Sequence, residues 1–283
     1  MLFICTKNCI FGTYNIYMGQ NAPRFQLEKL PPVREKVETI EILRQTNKAT
    51  AALAELKGIA RTIPNQIMLI NAIVLQEAKD SSEIENIITT QDELYKALTI
   101  SVNSVSPETK EVVNYRKAIF QGYDLVKKQG FLSVNDIIHI QQKLVDNTAG
   151  IRSTLGTVLK NDKTGEIVYT PPQDKAEIID LLTNFINHFN AQDELSPLIN
   201  LAILHYQFES IHPFYDGNGR TGRIINILYL VKEDLLHLPI LYLSRYINQN
   251  KGNYYHLLQE TRVTQNWEPW ILFMLEAIEQ TSI

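Results

Sequence analysis

The stretch His212-Pro213-Phe214-Tyr215-Asp216-Gly217-Asn218-Gly219-Arg220-Thr221-Gly222-Arg223 lies between two apolar segments of the chain. The segment before it begins with Ser196-Pro197, a typical helix N-cap with proline at the first helical position, and continues with apolar residues at helical spacing. The segment after it, 224–231, is apolar on nearly all sides, which is typical of a helix buried in a domain centre. The sequence therefore predicts a helix-loop-helix elbow that lies deep in the fold.

The loop of this elbow has the composition of an anion site. Gly217 and Gly219 flank Asn218, so backbone N–H groups can converge on a ligand without interference from a Cβ atom. A helix that begins near Arg220 adds the positive end of its dipole at the same point. Arg220 and Arg223 are three residues apart, which places two guanidinium groups on one face of the first helical turn, where they suit phosphate oxygens.

Two further side chains in the stretch suit phosphate chemistry. Asp216 is a hard oxygen ligand beside the proposed phosphate site, where Mg²⁺ commonly binds through only one or two protein carboxylates. His212 follows the first helix, and a histidine titrates near neutrality, so it can take a proton from an attacking hydroxyl. These residue types together predict a phosphate-transfer site.

Two different phosphate-binding loops are excluded by single positions. The segment 217–222 also resembles the phosphate loop of cysteine-dependent phosphatases, but that loop needs a cysteine six residues before the arginine, and this position is Phe214. A P-loop is excluded because no Gly-Lys-Ser/Thr follows the glycines.

The stretch resembles the signature of Fic (filamentation induced by cAMP) domain proteins, His-x-Phe-x-Asp/Glu-Gly-Asn-Gly-Arg-x-x-Arg, at every specified position. The resemblance implies an all-α fold, a Fic-type helical bundle with a small β-hairpin flap, and transfer of AMP from ATP to a Ser, Thr or Tyr hydroxyl of a target protein. It makes His212 the general base, Phe214 a buried anchor and Asp216 the Mg²⁺ ligand, with Arg223 on the γ-phosphate. The other residues that it implies for phosphate binding are Gly217, Asn218, Gly219, Arg220, Thr221 and Gly222.

A second segment, Ser81-x-x-x-Glu85-Asn86, is similar to the inhibitory motif of these proteins, Ser/Thr-x-x-x-Glu-Gly/Asn. By composition alone Glu85 would be a solvated helix carboxylate. Because the segment precedes the core motif, the chain resembles the subgroup whose inhibitory helix lies in its own N-terminal part. Glu85 is then expected to pair with Arg223, which would keep that guanidinium from gripping a γ-phosphate.

Composition sets wider limits on the protein. The net charge of −4 gives no basic footprint for nucleic acid, and no apolar run reaches transmembrane length, so we expect neither nucleic acid nor a membrane as a partner. Cys5 and Cys9 are the only cysteines, which favours a reducing cytoplasm. We expect an irregular arm at 1–31, N-terminal helices at 32–100 and a core with closing helices at 101–283, packed as one unit. A homodimer is possible.

Proline and glycine predict the limits of the N-terminal helices. Pro31-Pro32 is expected to open a helix that Gly58 ends. Pro64 is expected to start the helix that leads into the inhibitory segment. The residues predicted on the buried face of this second helix are Ile67, Ile70, Ile73, Val74 and Ala78.

The one β signal comprises two arms, 155–160 and 166–170, around a polar turn at 161–165. The resemblance makes this hairpin the flap, whose edge pairs with an extended segment of the target protein. Val158 and Val168 are the residues expected to form this docking edge. An isolated hairpin in a helical protein is also compatible with no function.

Some assignments stay open at this level. Tyr254 or Tyr255 is a candidate to line an adenine pocket, although core packing is the simpler role for each. The same site is compatible with transfer of another nucleotide or a phosphate group, and with removal of AMP by a water that Glu85 positions. The chain could also be a non-catalytic ATP-sensing module, but such a module has no need for a general base.

Overall fold

The computed structural model describes residues 27–99, 105–161, 164–192 and 194–283. These residues form eleven α-helices and one two-stranded antiparallel sheet, so the prediction of an all-α fold with a small hairpin is confirmed. The helices are α1 (Ile40–Thr62), α2 (Gln66–Ile84), α3 (Gln91–Thr99), α4 (Pro107–Gln129), α5 (Val134–Val145), α6 (Lys175–Asn190), α7 (Pro197–Ile211), α8 (Asn218–Lys232), α9 (Leu243–Gln249), α10 (Lys251–Thr264) and α11 (Glu268–Thr281). The strands are β1 (Leu159–Lys160) and β2 (Ile167–Tyr169).

Helices α7 and α8 form the predicted elbow at the centre of the core. Every residue of α7 after the initial Pro197 is buried, because its apolar residues cover all sides of the helix. Helix α8 packs against α7 and α4, and α7 also packs against α6 and α11. Phe214, in the loop between the two helices, is fully buried and packs against Phe208, as expected of an anchor.

The N-terminal helices pack directly on this core. Helix α1 lies along α11, and α2 lies between α4 and α9. Of the arm predicted at 1–31, residues 1–26 lie outside the described residues. Residues 27–31 contact α6, where Asn184 bonds both the N–H and the carbonyl of Leu30.

Two predicted limits of α1 are wrong. The helix begins at Ile40, not after Pro31-Pro32, because the side chain of Thr39 accepts a hydrogen bond from the Ile42 N–H and so caps the first turn. Residues 34–36, which the prediction placed in this helix, form a short 3₁₀ turn. Gly58 does not end the helix, which continues to Thr62. A glycine inside a helix costs only about 1 kcal/mol, and burial of the neighbouring apolar face outweighs that cost.

The predicted buried face of α2 is correct except at its first residue. Val74 and Ala78 are fully buried, and Ile70 and Ile73 are partly buried against the core. Ile67, in the first turn of α2, is instead 73% exposed, so helical spacing alone did not identify the buried face there.

The hairpin is shorter than predicted. The strands pair Leu159 with Tyr169 and Lys160 with Ile167, with a bulge between the two pairs. Val168 lies in β2, whereas Val158 precedes β1 and is outside the strand. Leu155 and Thr170, which were expected to continue the arms, lie outside the strands, and Gly156 in the first arm has φ 95°, a conformation that interrupts a strand.

None of the described helices combines the length and the apolar character that crossing a membrane requires.

Candidate functional site

The elbow owes its sharp geometry to two left-handed residues. His212 ends α7 with φ 48° and ψ 58°, and its N–H donates to the Phe208 carbonyl at 3.0 Å. Gly217 begins α8 with φ 78°, a conformation that glycine adopts without strain. A Cβ at Gly217 would also lie 2.7 Å from Cγ1 of Val145. Between these two residues the chain reverses from α7 into α8, and Phe214 in this loop is bonded to Asn218 in the first turn of α8.

The His212 imidazole is buried and neutral. The residue is only 5% exposed, and Nδ1 has no hydrogen-bond partner among the described residues. Burial, followed by the positive charge of Arg152, lowers the pKa of His212 to about 3. The imidazole is therefore in the neutral form that a general base requires, while a pKa this far below neutrality by itself makes it a weak proton acceptor.

Asn218 holds the loop rigid. Its side-chain oxygen accepts the Phe214 N–H at 2.8 Å, and its side-chain nitrogen donates to the Phe214 carbonyl at 2.9 Å. One N–H and one oxygen lone pair of the amide are therefore committed to the loop, which fixes the orientation of the Asn218 side chain.

The first turn of α8 has the features of a candidate anion site. The N–H groups of Asn218, Gly219 and Arg220 belong to this turn, where no intrahelical acceptor exists for them. The helix dipole favours negative charge at the same point. A Cβ at Gly219 would clash with the carboxylate of Glu85, so Gly219 leaves room for an anionic group here.

Asp216 lies at the open side of the elbow. Its side chain is 42% exposed, and its Oδ1 accepts the Gly217 N–H at 2.6 Å. Gln141 fixes the backbone by donating to the Asp216 carbonyl at 2.9 Å. No group of three or more His, Cys, Asp or Glu residues within the described ranges is arranged to hold a metal ion. A single accessible carboxylate beside a phosphate site fits Mg²⁺ that keeps several waters and binds mainly through substrate phosphates.

Arg220 is held by two carboxylates. Its Nη1 lies 2.7 Å from Glu111 of α4 and its Nη2 lies 3.4 Å from Asp216. The side chain is only 2% exposed, and its Nε has no partner in the part of the chain that the structure describes. Arg220 thereby connects Asp216, the candidate metal ligand, to Glu111 of α4.

The expected pair between Glu85 and Arg223 is present. Nη2 of Arg223 lies 2.8 Å from Oε1 of Glu85. The same guanidinium donates from Nε to the Ser81 hydroxyl at 2.8 Å and from Nη2 to the Ser81 carbonyl at 2.9 Å. Burial alone would lower the pKa of Arg223, but the negative charge of Glu85 contributes to a net increase. All three contacts come from the last turns of α2.

Buried polar contacts fix α2 in this position. Glu77 accepts hydrogen bonds from the Tyr115 hydroxyl at 3.1 Å and from the Ser244 N–H at 2.8 Å. Asp80 accepts a hydrogen bond from the Tyr242 hydroxyl. Beyond the helix, Asn86 adopts φ 60° and its side-chain oxygen accepts a hydrogen bond from Lys251 at 3.4 Å. The segment that carries Ser81 and Glu85 is therefore anchored to α4, α9 and α10.

Two family models match the chain. Residues 43–124 match the Fic/DOC family N-terminal model, and residues 131–230 match the Fic/DOC family model. Together they cover well over half of the chain. The chain belongs to the Fic/DOC family.

Curated relatives carry the name protein adenylyltransferase Fic. The relative from Culex quinquefasciatus is 24% identical over 159 residues, which are 56% of this chain and 30% of that protein. The relative from Drosophila mojavensis is 23% identical over 208 residues, which are 66% of this chain and 39% of that protein. The chain thus spans less than half the length of these relatives.

Solved structures of the family share the fold. A Fic family protein from Desulfovibrio desulfuricans superposes with a TM-score of 0.71 at 22% identity, over 87% of this chain and 74% of the other. Fic-1 from C. elegans superposes with a TM-score of 0.64 at 18% identity, over 86% of this chain and 72% of the other.

The structure separates the sequence-predicted site residues of this Fic-family chain into two groups. In the first group, Asp216 contacts Arg220, and Ser81 and Glu85 contact Arg223, so these residues meet at the first turns of α8. The second group lies in the aromatic core beside Arg223. Tyr254 is 1% exposed, its hydroxyl bonds His205 at 2.8 Å, and it packs against Trp270. Burial, aided by the charge of Glu209 and opposed by that of Arg223, raises the pKa of Tyr254, so this ring is close to the Glu85–Arg223 pair. Tyr255 is 7% exposed and packs edge-on against Tyr254. Thr221 is fully buried, and Gly222 is buried against α7, where an added Cβ would lie 2.8 Å from Oε1 of Glu209.

Three residues at the site were not found from the sequence. Arg152 and Glu111 carry no local signal, because each reaches the site from a distant segment of irregular or mixed composition. Glu209 had a usable signal, since it is a lone carboxylate in a helix that is apolar on all sides. Such a carboxylate must be buried, and buried carboxylates are frequent at functional sites.

Proposed function

We propose that this chain is an Mg²⁺-dependent protein adenylyltransferase that transfers AMP from ATP to a Ser, Thr or Tyr hydroxyl of a target protein, and that Glu85 inhibits it. The observation that carries the proposal is the elbow, which combines a neutral buried histidine, an accessible aspartate and the free N–H groups of a helix start. The curated relatives named protein adenylyltransferase Fic support the same activity.

In the proposed reaction, His212 takes the proton of the target hydroxyl as its oxygen attacks the α-phosphorus of ATP. The bond between the α-phosphorus and its bridging oxygen breaks, and pyrophosphate leaves with the electron pair. The N–H groups at the start of α8 stabilise the negative charge on the phosphate oxygens. Asp216 would hold Mg²⁺, which supplies charge neutralisation on the triphosphate. The chain itself contributes mainly position and electrostatic stabilisation, as is usual for transfer at phosphorus.

The proposed inhibition has a geometric cause. Glu85 occupies the anion site at Gly219 and binds Arg223, the residue proposed to hold the γ-phosphate. A γ-phosphate would have to compete with this carboxylate, which also repels it. ATP that binds without its γ-phosphate in place would present its α-phosphorus out of line for attack.

Incubation with ATP that carries label at either the α- or the γ-phosphate tests this function. The Glu85→Gly protein should retain the α-label and release the γ-label, the wild type should retain much less, and Glu85→Gly with His212→Ala should retain almost none. Retention of the γ-label alone would indicate phosphate transfer instead. Retention of neither label by Glu85→Gly, together with unchanged ATP binding, would favour a non-catalytic module.

Transfer of a different nucleotide and removal of AMP need separate experiments. Competition by GTP, CTP or UTP against labelled ATP shows whether the site takes another nucleotide. Removal of AMP is tested with a premodified target: loss of AMP release in Glu85→Gly would indicate that Glu85 positions a water.

We also propose that the hairpin is the docking edge for an extended segment of the target, with Val158 and Val168 at that edge. Ile167 is 42% exposed and Val168 is half-buried against the core, so the hairpin offers both an open edge and a fixed base. Proline at 158 or 168 removes one backbone donor and should weaken modification of a target protein. ATP binding and self-modification should change little. Full target modification by both variants would exclude this edge.

The remaining expectations belong to the same proposal. They are a division into 1–31, 32–100 and 101–283, a cytoplasmic location, no nucleic-acid or membrane partner, and a possible homodimer. The low cysteine content supports a reducing compartment. Limited proteolysis tests the division of the chain, fractionation of cells tests the location, and light scattering tests for the homodimer.

A further inference from the structure

Arg152 is an unusual residue for the interior of a protein. It is fully buried, yet its hydrogen bonds go to backbone carbonyls, where a buried guanidinium would ordinarily meet a carboxylate. Its Nε donates to the His212 carbonyl at 2.7 Å, and its Nη2 donates to the Ile211 carbonyl at 3.2 Å. These carbonyls end α7, where the negative pole of the helix compensates a positive charge.

The contacts of Arg152 fix the backbone on the C-terminal side of His212. The N–H of His212 is bonded to Phe208, and its carbonyl is bonded to Arg152. The N–H of Arg152 in turn donates to the Pro213 carbonyl at 3.0 Å. With the peptide groups on both sides of His212 held, its φ and ψ are held too, and these angles set the direction of the Cα–Cβ bond. A left-handed conformation is unfavourable for a non-glycine residue, so it persists only where the surroundings enforce it.

The same guanidinium reaches the hairpin. Nη2 of Arg152 also donates to the carbonyl of Pro172, which follows β2 by three residues. A second tie comes from β2 itself, since the Tyr169 hydroxyl donates to the Ser210 carbonyl at 2.8 Å. The backbone that carries His212 and the end of the hairpin are thus bound to one another.

We propose that Arg152 is a positioning residue that directs the His212 imidazole by fixing the backbone that carries it. The inference rests on the proposed function, in which His212 accepts a proton from a hydroxyl presented at that hairpin. Arg152 touches neither the hydroxyl nor the nucleotide in this role, and it acts only through His212. A base displaced by about 1 Å loses roughly 10²-fold in rate, although the nucleotide binds as before.

Arg152→Lys tests the role, with Arg262→Lys as its matched control. Arg262 is equally buried and bonds the Ser210 hydroxyl, but not the His212 carbonyl. Both substitutions are made in Glu85→Gly, and the probe is self-modification with α-labelled ATP at saturation, measured well below each Tm. Arg152→Lys should lower kcat by about 10- to 100-fold with KM for ATP changed less than about twofold. Arg262→Lys should lower kcat several times less.

Several results would overturn the inference. They are equal losses of kcat in the two variants, a loss that appears only in KM for ATP, and unfolding of Arg152→Lys at 25 °C while Arg262→Lys stays folded. A crystal structure of Arg152→Lys gives a readout that needs no activity: an imidazole of His212 in its wild-type position would also exclude the role. His212→Ala is assayed in parallel. Unchanged transfer by His212→Ala would remove the proposed base itself, whereas an inactive His212→Ala beside a fully active Arg152→Lys would remove only the positioning role of Arg152.

Discussion

Glu85 and Arg223 form an ion pair with Oε1 and Nη2 2.8 Å apart, between the end of α2 and the first turns of α8. The side chain of Arg223 is 1% exposed and that of Glu85 is 15% exposed, so solvent screens the pair only weakly. Removal of Glu85 leaves a buried guanidinium that still bonds Ser81 but has lost its nearest negative charge. Such a site gains most from a new anion, and the γ-phosphate of ATP is the anion that the proposed function supplies.

Glu85→Gly should therefore tighten the binding of ATP much more than that of ADP. A hydrogen-bonded contact between a guanidinium and a charged group contributes on the order of 2 kcal/mol, which corresponds to about a 30-fold gain in affinity. Calorimetry of both nucleotides measures the difference. Replacing Arg223 by alanine in the same protein should cancel the gain, since no guanidinium is left to bind the γ-phosphate.

Glu83→Gly is the control for the effect of glycine in the last turn of α2. Glu83 is 41% exposed and lies 3.9 Å from Lys79, away from Arg223 in its contacts. Glu83 lies inside the helix, whereas Glu85 is its C-cap, so Glu83→Gly should lose about 1 kcal/mol of helix propensity and loosen the end of α2 at least as much as Glu85→Gly, without a change in nucleotide preference. Equal gains for ATP in both glycine variants would show that a loosened helix, and not the removed carboxylate, is responsible.

Gly219→Ala should destabilise the wild type and have a smaller effect in Glu85→Gly. The added Cβ would clash with Oε1 of Glu85 and would lie 3.1 Å from Nη1 of Arg223. Overpacking of this kind costs about 1–3 kcal/mol, whereas alanine in a helix otherwise gains up to about 1 kcal/mol. Urea unfolding of the four proteins of this double-mutant cycle measures the coupling. Additive changes would mean that Glu85 moves away from Gly219 at no cost.

The elbow was predictable because each of its features is local. The N-cap Ser196 with Pro197, the glycines at 217 and 219 and the apolar runs on either side determine two buried helices and a tight loop. The histidine, aspartate and arginines then follow from their positions in the loop. The pairing of Glu85 with Arg223 was different, since only resemblance to the Fic family connected residues so far apart in sequence.

Features that depend on distant packing could not be predicted. Helix α1 starts after the Thr39 cap. The pair Pro31-Pro32 is the more typical start of a helix, and it pointed to an earlier residue. The exposure of Ile67 and the bulge between the two pairs of the hairpin are tertiary features that no local pattern indicates. Arg152 reaches the elbow across 60 residues of chain, and no local pattern around it indicates a partner.

His212→Ala should reduce AMP transfer by about 10²–10⁴-fold, the usual effect of losing a general base. ATP binding should survive, because the imidazole acts on the incoming hydroxyl. The low pKa of His212, about 3, lies below the ordinary value of 6.5, so the imidazole should stay neutral from pH 8 down to about pH 5. NMR titration of the ring tests this expectation directly. Titration near pH 6.5 would show that the ring is hydrated, and a loss of transfer below tenfold would exclude the role of base.

Asp216→Asn should weaken the Mg²⁺-dependent part of ATP binding. The asparagine keeps an oxygen that can accept the Gly217 N–H, so the loop should keep its shape while it loses the charge. Mg²⁺ strongly favours a charged carboxylate ligand over a neutral amide. Calorimetry with and without Mg²⁺ separates the two contributions to affinity. If the variant and the wild type gain equally from Mg²⁺, Asp216 is not the ligand.

Glu209 makes the stability of the elbow depend on pH. Its Oε1 is buried without a partner among the described residues, and a Cβ at Gly222 would lie only 2.8 Å from that atom. Burial, opposed in part by Arg223, raises the pKa of Glu209 to about 7. The folded protein therefore binds this proton more tightly than the unfolded chain, in which the carboxyl group has its ordinary pKa of 4.5.

The sign of the effect follows from that difference. The contribution of Glu209 to stability is complete below about pH 4.5 and is lost as the pH rises through about 7. Glutamine cannot ionise, so Glu209→Gln should not show this loss. Between pH 5 and pH 8 the free energy of unfolding of the wild type should therefore decrease, relative to that of the variant, by on the order of 2 kcal/mol. Glu77, whose pKa burial also raises to about 7, is present in both proteins and cancels in the comparison. Urea unfolding at the two pH values measures the difference. A wild type that gains stability relative to Glu209→Gln as the pH rises would mean that Glu209 is ionised in the folded protein and is paired with a cation. Arg223, whose positive charge lowers the pKa of Glu209, is the first candidate for that cation.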